Sequence, residues 1–247
     1  MHPSNPKINA INADEVGNGL VLKISPRRVT IILSLIVTII MLINIFMDNF
    51  DLSNNVNNFF DVTSERNLPT WYSSAALLFC STMLGIIAKF KSSVDDPFRR
   101  QWAVLSVIFL LMSFDEIASI HEKAIKPTRE ALNVSGFLYF AWVIPAGIRV
   151  ILLGLYFLRF MTHLDRQTRN LFLISAAVFL SGAILFEMIG ASLYEDYKSG
   201  ASSGIAYDKV AEVEEFFEMS GIVIFIYALL AYIRKIYKGI DIRIDVE

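Results

Sequence analysis

Polar and apolar positions along this chain do not alternate; they separate into long blocks. Six apolar stretches, near residues 29–48, 69–89, 101–121, 136–158, 171–194 and 210–233, stand between polar segments. A helix rises about 1.5 Å per residue, so roughly 20 residues cross about 30 Å of hydrocarbon, and each stretch is long enough to do so. The first reads VTIILSLIVTIIMLINIFM and meets no charge until Asp48, whereas the third, fifth and sixth are interrupted by acids. Membrane-spanning β-strands would appear as alternating segments of about ten residues, and the chain has none of that pattern. The pattern predicts an all-α, polytopic transmembrane bundle of six helices over 29–234. It is flanked by tails at 1–28 and 235–247. The first 28 residues are polar and contain Pro3, Pro6 and Pro26. With no small-residue cleavage site after the first block, that block reads as a retained helix and not as a signal peptide.

Lysine and arginine orient such a bundle, because they are held on the cytoplasmic side. With the N-terminus inside, fifteen of the 22 Lys and Arg fall on inner segments, six on outer segments, and Arg149 within the fourth helix. The inner side leads at every connection, which predicts both termini in the cytoplasm. The outer connections are polar, notably Asp51 to Asp61 with its NNVNN run, and Asn133-Val-Ser135 forms a sequon on another of them.

Composition sharpens this picture. Of 247 residues, 55% are hydrophobic and only 19% charged, with a mean hydropathy of +0.52, which excludes a disordered chain. The single cysteine, Cys80, cannot form an internal disulfide. A net charge of −2 leaves no basic surplus for phosphate neutralisation and argues against nucleic acid as a partner. Nucleotide loops, nucleophile elbows, H-E-x-x-H and C-x-x-C are absent, and nothing signals a haem. The lipid bilayer is the partner that the composition demands.

The informative residues are the acids inside apolar blocks, since an ionisable group in a bilayer costs several kcal/mol unless it faces protein or water. The third helix carries Asp115 and Glu116 and ends at His121 and Glu122; the fifth carries Glu187; the sixth opens with Glu212, Glu214, Glu215 and Glu218. At about 1.5 Å per residue, Asp115, Glu187, Glu215 and Glu218 fall roughly 18–25 Å above the inner boundary, which places three helices' carboxylates at one level. The spacing i, i+4, i+7 would put Asp115, Ser119 and Glu122 on one helix face. Glu215 and Glu218 are i, i+3 neighbours. His121 falls off the Glu116 face and is expected at the rim. Gly190 and Ala191 beside Glu187 would let another helix approach closely. Pro145 is expected to kink the fourth helix, and Trp71, Tyr139 and Trp142 read as an interfacial aromatic belt.

Grouped acids need either bound protons or a cation. An all-oxygen set favours Mg²⁺, Ca²⁺ or Mn²⁺ over Zn²⁺ or iron, with Asp115, Glu116, His121, Glu122, Glu187, Glu215 and Glu218 as candidate ligands. Ser73, Ser74 and Ser119 lie near the same level as supporting oxygens. The leading expectation is ion- or proton-coupled transport. A metal-dependent membrane enzyme acting on an outer-leaflet lipid or isoprenoid is the second, and a structural or sensory module the third.

The segments PTWYSS (69–74), SFDEIASIHE (113–122), YFAWVIP (139–145), FEMIG (186–190) and EEFFEMSG (214–221) together resemble a family of six-helix bacterial inner-membrane proteins of unassigned function. The D-E-x-x-x-x-H-E and E-E-x-x-E-M-x-G blocks are the most specific. The resemblance spans roughly 29–234 and implies a bacterial plasma-membrane location.

Overall fold

A computed structural model describes residues 20–23, 25–48, 54–236 and 241–244. The polar tail before residue 20 and the start of the Asn-rich segment at Asp51 lie outside the described residues. Among the described residues nine α-helices follow in order: α1 (Pro26–Asp48), α2 (Asn54–Phe60), α3 (Leu68–Ser93), α4 (Arg99–Ala118), α5 (Ile120–Leu132), α6 (Val143–His163), α7 (Arg166–Leu180), α8 (Glu187–Lys198) and α9 (Ile205–Ile236). A π-helical turn, Ser181–Phe186, joins α7 to α8 without a break. Six helical units are long and apolar enough to cross a membrane: α1, α3, α4, α6, the α7–α8 unit and α9. The chain is therefore a multi-pass helical membrane protein, as the blocks predict. Beyond the bundle, Leu20–Lys23 pairs antiparallel with Asp241–Ile244, so the two ends of the chain meet on one side.

Several boundaries differ from expectation, each for a local reason. The Asn-rich segment forms the short helix α2. Asn67 then caps α3, its Oδ1 accepting from the Thr70 backbone N–H at 3.1 Å. The third span stops at Ala118, where Ser119 turns left-handed at φ 47° and α5 begins. Asp115, Ser119 and Glu122 consequently do not share a helix face. The fourth span begins at Val143 and not at 136, because Gly136–Leu138 forms a 3₁₀ turn. Pro145 thus lies in the first turn of α6, where it interrupts no internal hydrogen bond; it does not kink the helix.

α9 is the axis of the bundle and packs against α1, α3 and the α7–α8 unit. Close approach to α7 depends on two glycines. A Cβ on Gly221 would lie 2.7 Å from the Phe179 backbone nitrogen, and a Cβ on Gly182 would lie 2.7 Å from the Glu214 carbonyl oxygen. Near the chain termini the core is aromatic: Trp102 stacks on Tyr232 at 4.9 Å and meets Phe160 edge-on at 5.0 Å. α3 and α4 are pinned by reciprocal serines. Ser74 and Ser113 donate to each other's carbonyls at 2.8 and 2.9 Å, and Ser81 and Ser106 do the same at 2.8 Å each.

Candidate functional site

Span lengths locate the site. α4 has 20 residues and α6 has 21, each about 30 Å long, while the α7–α8 unit has 33 and α9 has 32. The Trp142 indole, at the start of α6, donates to Glu187 Oε1, so Glu187 is level with the end of the shorter helices. The rest of α8 and the first turns of α9 project beyond that level. Their sequences are polar there, with Glu195, Asp196, Lys198, Asp208 and Lys209. The carboxylates therefore stand at the rim of the apolar slab, on the side away from the termini, and not well inside it. Their counted heights agreed because α4 ends early while α8 and α9 run on.

The break at Ser119 builds the first half of the site. It turns the chain so that His121 Nδ1 meets Asp115 Oδ2 at 2.9 Å, while the His121 backbone N–H donates to Asp115 Oδ1 at 3.0 Å. His121, expected off the Glu116 face at the rim, is thus held by Asp115, and its ring lies 4.9 Å from that of Trp142. Burial opposes protonation of His121, but the Asp115 hydrogen bond and charge outweigh it and raise its pKa to about 9. The Ser119 hydroxyl donates to Glu65 Oε2 at 3.3 Å. Burial, then the charge of Glu122, raises the pKa of Glu65 above the usual carboxylate value.

The second half comes from α8 and α9. Glu187 accepts from the Trp142 indole and lies in electrostatic range of Glu214. Glu215 and Glu218 lie within electrostatic range of Glu116 and Glu65, which joins the two halves. Glu116, Glu187, Glu214, Glu215 and Glu218 are all half-buried, so together they form a partly accessible carboxylate cleft between the helices. Gly182 permits this arrangement, since its missing Cβ would fall 2.7 Å from Glu218 Cγ. The π turn that carries Gly182 ends at Phe186 and so delivers Glu187 to the cleft; such turns recur at functional sites. Tyr207 walls the cleft beside Glu187 and Glu214, packed on Tyr194 at 5.0 Å, and a Cβ on Gly190 would lie 3.7 Å from its ring.

Most of the expected residues meet here: Asp115, Glu116, His121, Glu187, Glu215 and Glu218, with Ser119 at the edge. Glu122 is exposed on α5 yet remains an electrostatic neighbour of Glu65 and Glu187. Ser74 has its hydroxyl engaged by Ser113, and Ser73 is buried in α3. Glu65, Gly182 and Tyr207 are additions that spacing did not reveal. Trp142, expected in the lipid belt, instead contacts Glu187 and His121. Among the described residues, no three His, Cys, Asp or Glu side chains converge in a geometry that would hold a metal ion.

The chain matches the model of a protein family described as a domain of unknown function, DUF8692, over residues 30–233. It belongs to that family. The match covers four spans whole, the first and last except for their ends nearest the chain termini, and every residue of the cleft. No curated protein and no solved structure matches the chain.

Proposed function

We propose that this membrane protein binds protons, in exchange with a small cation, at the carboxylate cleft, and uses that binding in ion- or proton-coupled transport. The observation that carries the reading is the crowding of carboxyl groups at one place: Glu187 lies in electrostatic range of Glu214, and Glu215 and Glu218 lie in range of Glu116 and Glu65. Glu65, Glu116, Glu215 and Glu218 have no Lys or Arg partner among the described residues, and His121 is already engaged with Asp115. Like charges this close cannot all stay ionised in a low dielectric, so protons or a cation must enter and leave with the charge. Mg²⁺, Ca²⁺ or Mn²⁺ are the divalent ions suited to such oxygens, and Asp115, Glu116, His121, Glu122, Glu187, Glu215 and Glu218 would have to draw together to hold one, since no three of them among the described residues converge as they stand.

The orientation in this reading places both termini in the cytoplasm of a bacterium and the cleft on the outer face of its inner membrane, on the strength of the Lys and Arg distribution. The native Cys80 is buried, so a single cysteine introduced at Ser199 would report the side of the α8–α9 connection. Labelling by an impermeant maleimide from outside supports this orientation, and labelling only after permeabilisation refutes it.

Proteoliposomes loaded with a pH-sensitive dye test the function. The wild type is expected to show cation-stimulated proton flux that Glu187→Gln, Glu214→Gln and Glu218→Gln each reduce at least tenfold. Equal flux in wild type and all three variants would refute the proposal. The Asp115-held His121 favours one alternative, an enzyme using that imidazolium as general acid on a lipid at the membrane rim. Turnover of lipid with no ion flux would establish it.

A further inference from the structure

Arg149 lies in α6, six residues below its first residue, or about 9 Å into the slab whose end the start of α6 marks. It is exposed and, among the described residues, makes no ion pair or hydrogen bond. Unpaired guanidinium in hydrocarbon is costly, so a residue of this kind has a partner, and the described residues supply none. The nearby carboxylates do not fill the role: Glu187 is held by Trp142, and Asp115 by His121.

The helix itself says what surrounds the charge. Trp142 already has helical backbone angles, and Trp142, Arg149 and Tyr156 follow at intervals of seven, so they form one stripe down α6. Tyr156 is exposed below Arg149, and Ile148, Leu152 and Leu155 beside it are 56%, 60% and 62% exposed. An arginine ringed by exposed aliphatic side chains fits an amphiphile that carries an anion above hydrocarbon chains. The side chain reaches several ångströms along the stripe towards the slab boundary, where phospholipid phosphates lie. Its planar fork of donors pairs with phosphate in a two-pronged contact that lysine cannot reproduce.

We propose that Arg149 is the headgroup anchor of a phospholipid site on α6, taking the lipid phosphate, with the acyl chains lying over Ile148, Leu152, Leu155 and Tyr156. This site is separate from the carboxylate cleft and does not depend on the ions that cleft carries. It would hold a lipid against the helix that delivers Trp142 to Glu187.

Native mass spectrometry of the full chain in mild detergent tests this, using phosphatidylglycerol and a diacylglycerol of the same acyl chains. The wild type should retain one phosphatidylglycerol about tenfold more than the diacylglycerol. Arg149→Met should abolish that preference, and Arg149→Lys should keep part of it. Excess inorganic phosphate should leave the lipid bound. Equal retention by wild type and Arg149→Met would overturn the proposal, as would equal retention of the two lipids. Displacement by inorganic phosphate would assign the site to a free anion instead. An Arg149-dependent dimer without bound lipid would assign it to a second copy. Arg149 touches no protein partner, so Arg149→Met should unfold at the wild-type Tm. Were it to misfold, Arg149→Lys against wild type gives the same comparison.

Discussion

The two ends of this bundle treat acids in opposite ways. At the end nearer the chain termini, each acid that the structure pairs has a basic residue: Asp96 with Lys91 at 2.8 Å, Asp165 with Lys235 at 3.1 Å and Asp95 with Arg99 at 2.8 Å. Burial works against ionisation of Asp96 and Asp165, but the lysine contacts and local hydrogen bonds prevail and hold both below the usual carboxylate range. At the far end Glu212 pairs with Lys209 and Glu130 with Lys126 outside the cleft, and Asp115 has His121, while Glu65, Glu116, Glu187, Glu214, Glu215 and Glu218 gather in the cleft without a Lys or Arg partner among the described residues. One end uses charge to fasten helices; the other keeps charge unsettled. A site meant only for fastening would resemble the first.

The largest effect that separates the ends is a core deletion. Trp102 is fully buried among Phe160, Phe172 and Tyr232. Trp102→Ala should cost about 3–5 kcal/mol, the range for truncating a buried aromatic. Denaturant unfolding in detergent measures it, and at temperatures where the variant is folded its proton uptake should match the wild type. Loss of uptake in the folded variant would mean that the two ends are coupled.

The pH dependence comes next. The pKa of His121 rises from about 6.5 to about 9 on folding, so its pairing with Asp115 stabilises the fold fully below pH 6.5. That stability is lost as pH rises through 9. The linkage bound for such a shift is about 3 kcal/mol, and the partial exposure of the pair reduces it. Asp96 behaves in the opposite sense: its contribution is present above pH 4 and lost on acidification. Tm measured from pH 6 to 10 should fall in the wild type and flatten in His121→Gln. An unchanged slope would remove His121 from the account.

Gly182→Val follows. Its side chain would meet the Glu214 carbonyl and the Glu218 backbone, neither of which can swing away. A penalty of about 1–3 kcal/mol is expected, as for other overpacked sites. Flux should fall even in the folded fraction, because α8 and α9 would be pushed apart at Glu187 and Glu214. Gly136→Ala, where nothing lies within 4 Å, tests backbone strain alone, since its φ is +62°.

The contrast between the ends was partly legible in the sequence. Length and apolarity alone set the six spans, because a bilayer leaves the backbone few alternatives to a helix. The intruding acids identified Asp115, Glu187, Glu215 and Glu218, since such residues need a partner. Glu65 escaped because it lies in a polar connection, where an acid is ordinary. The Asp115–His121 contact escaped because it exists only through the left-handed turn at Ser119, and nothing in ASI marks that turn. Gly182 and the π turn escaped because close helix approach depends on which faces meet. The level of the acids was overestimated in depth for a related reason: α8 and α9 continue beyond the slab in helical form, so helix counts do not mark its edge.

A smaller test uses neutralisation at both ends. Glu215→Gln with Glu218→Gln should raise stability by about 1 kcal/mol at pH 7.5, on the order of one strained charge interaction. Whether those groups hold protons or repel one another, the amide removes the burden. Asp96→Asn should lower stability by about the same amount, because it leaves Lys91 half-buried without its acid. Changes of the same sign at both ends would contradict the contrast.

The smallest effect isolates what the ends have in common. Ser74–Ser113 and Ser81–Ser106 are the same reciprocal pin, repeated seven residues apart on antiparallel α3 and α4. The first pair lies close to the carboxylate cleft and the second two turns nearer the termini. Hydrogen bonds of this type between membrane helices contribute about 0.6 kcal/mol on average, so Ser74→Ala and Ser81→Ala should each lower stability by about that amount. Neither should change proton flux, since both hydroxyls are committed to the opposing helix. If Ser74→Ala alone altered flux, the Ser113 end of α4 would be part of the mechanism. The two residues between Ser113 and Glu116 would then transmit the change, because Ser113 fixes the rotation at which α4 presents Asp115 and Glu116 to the cleft.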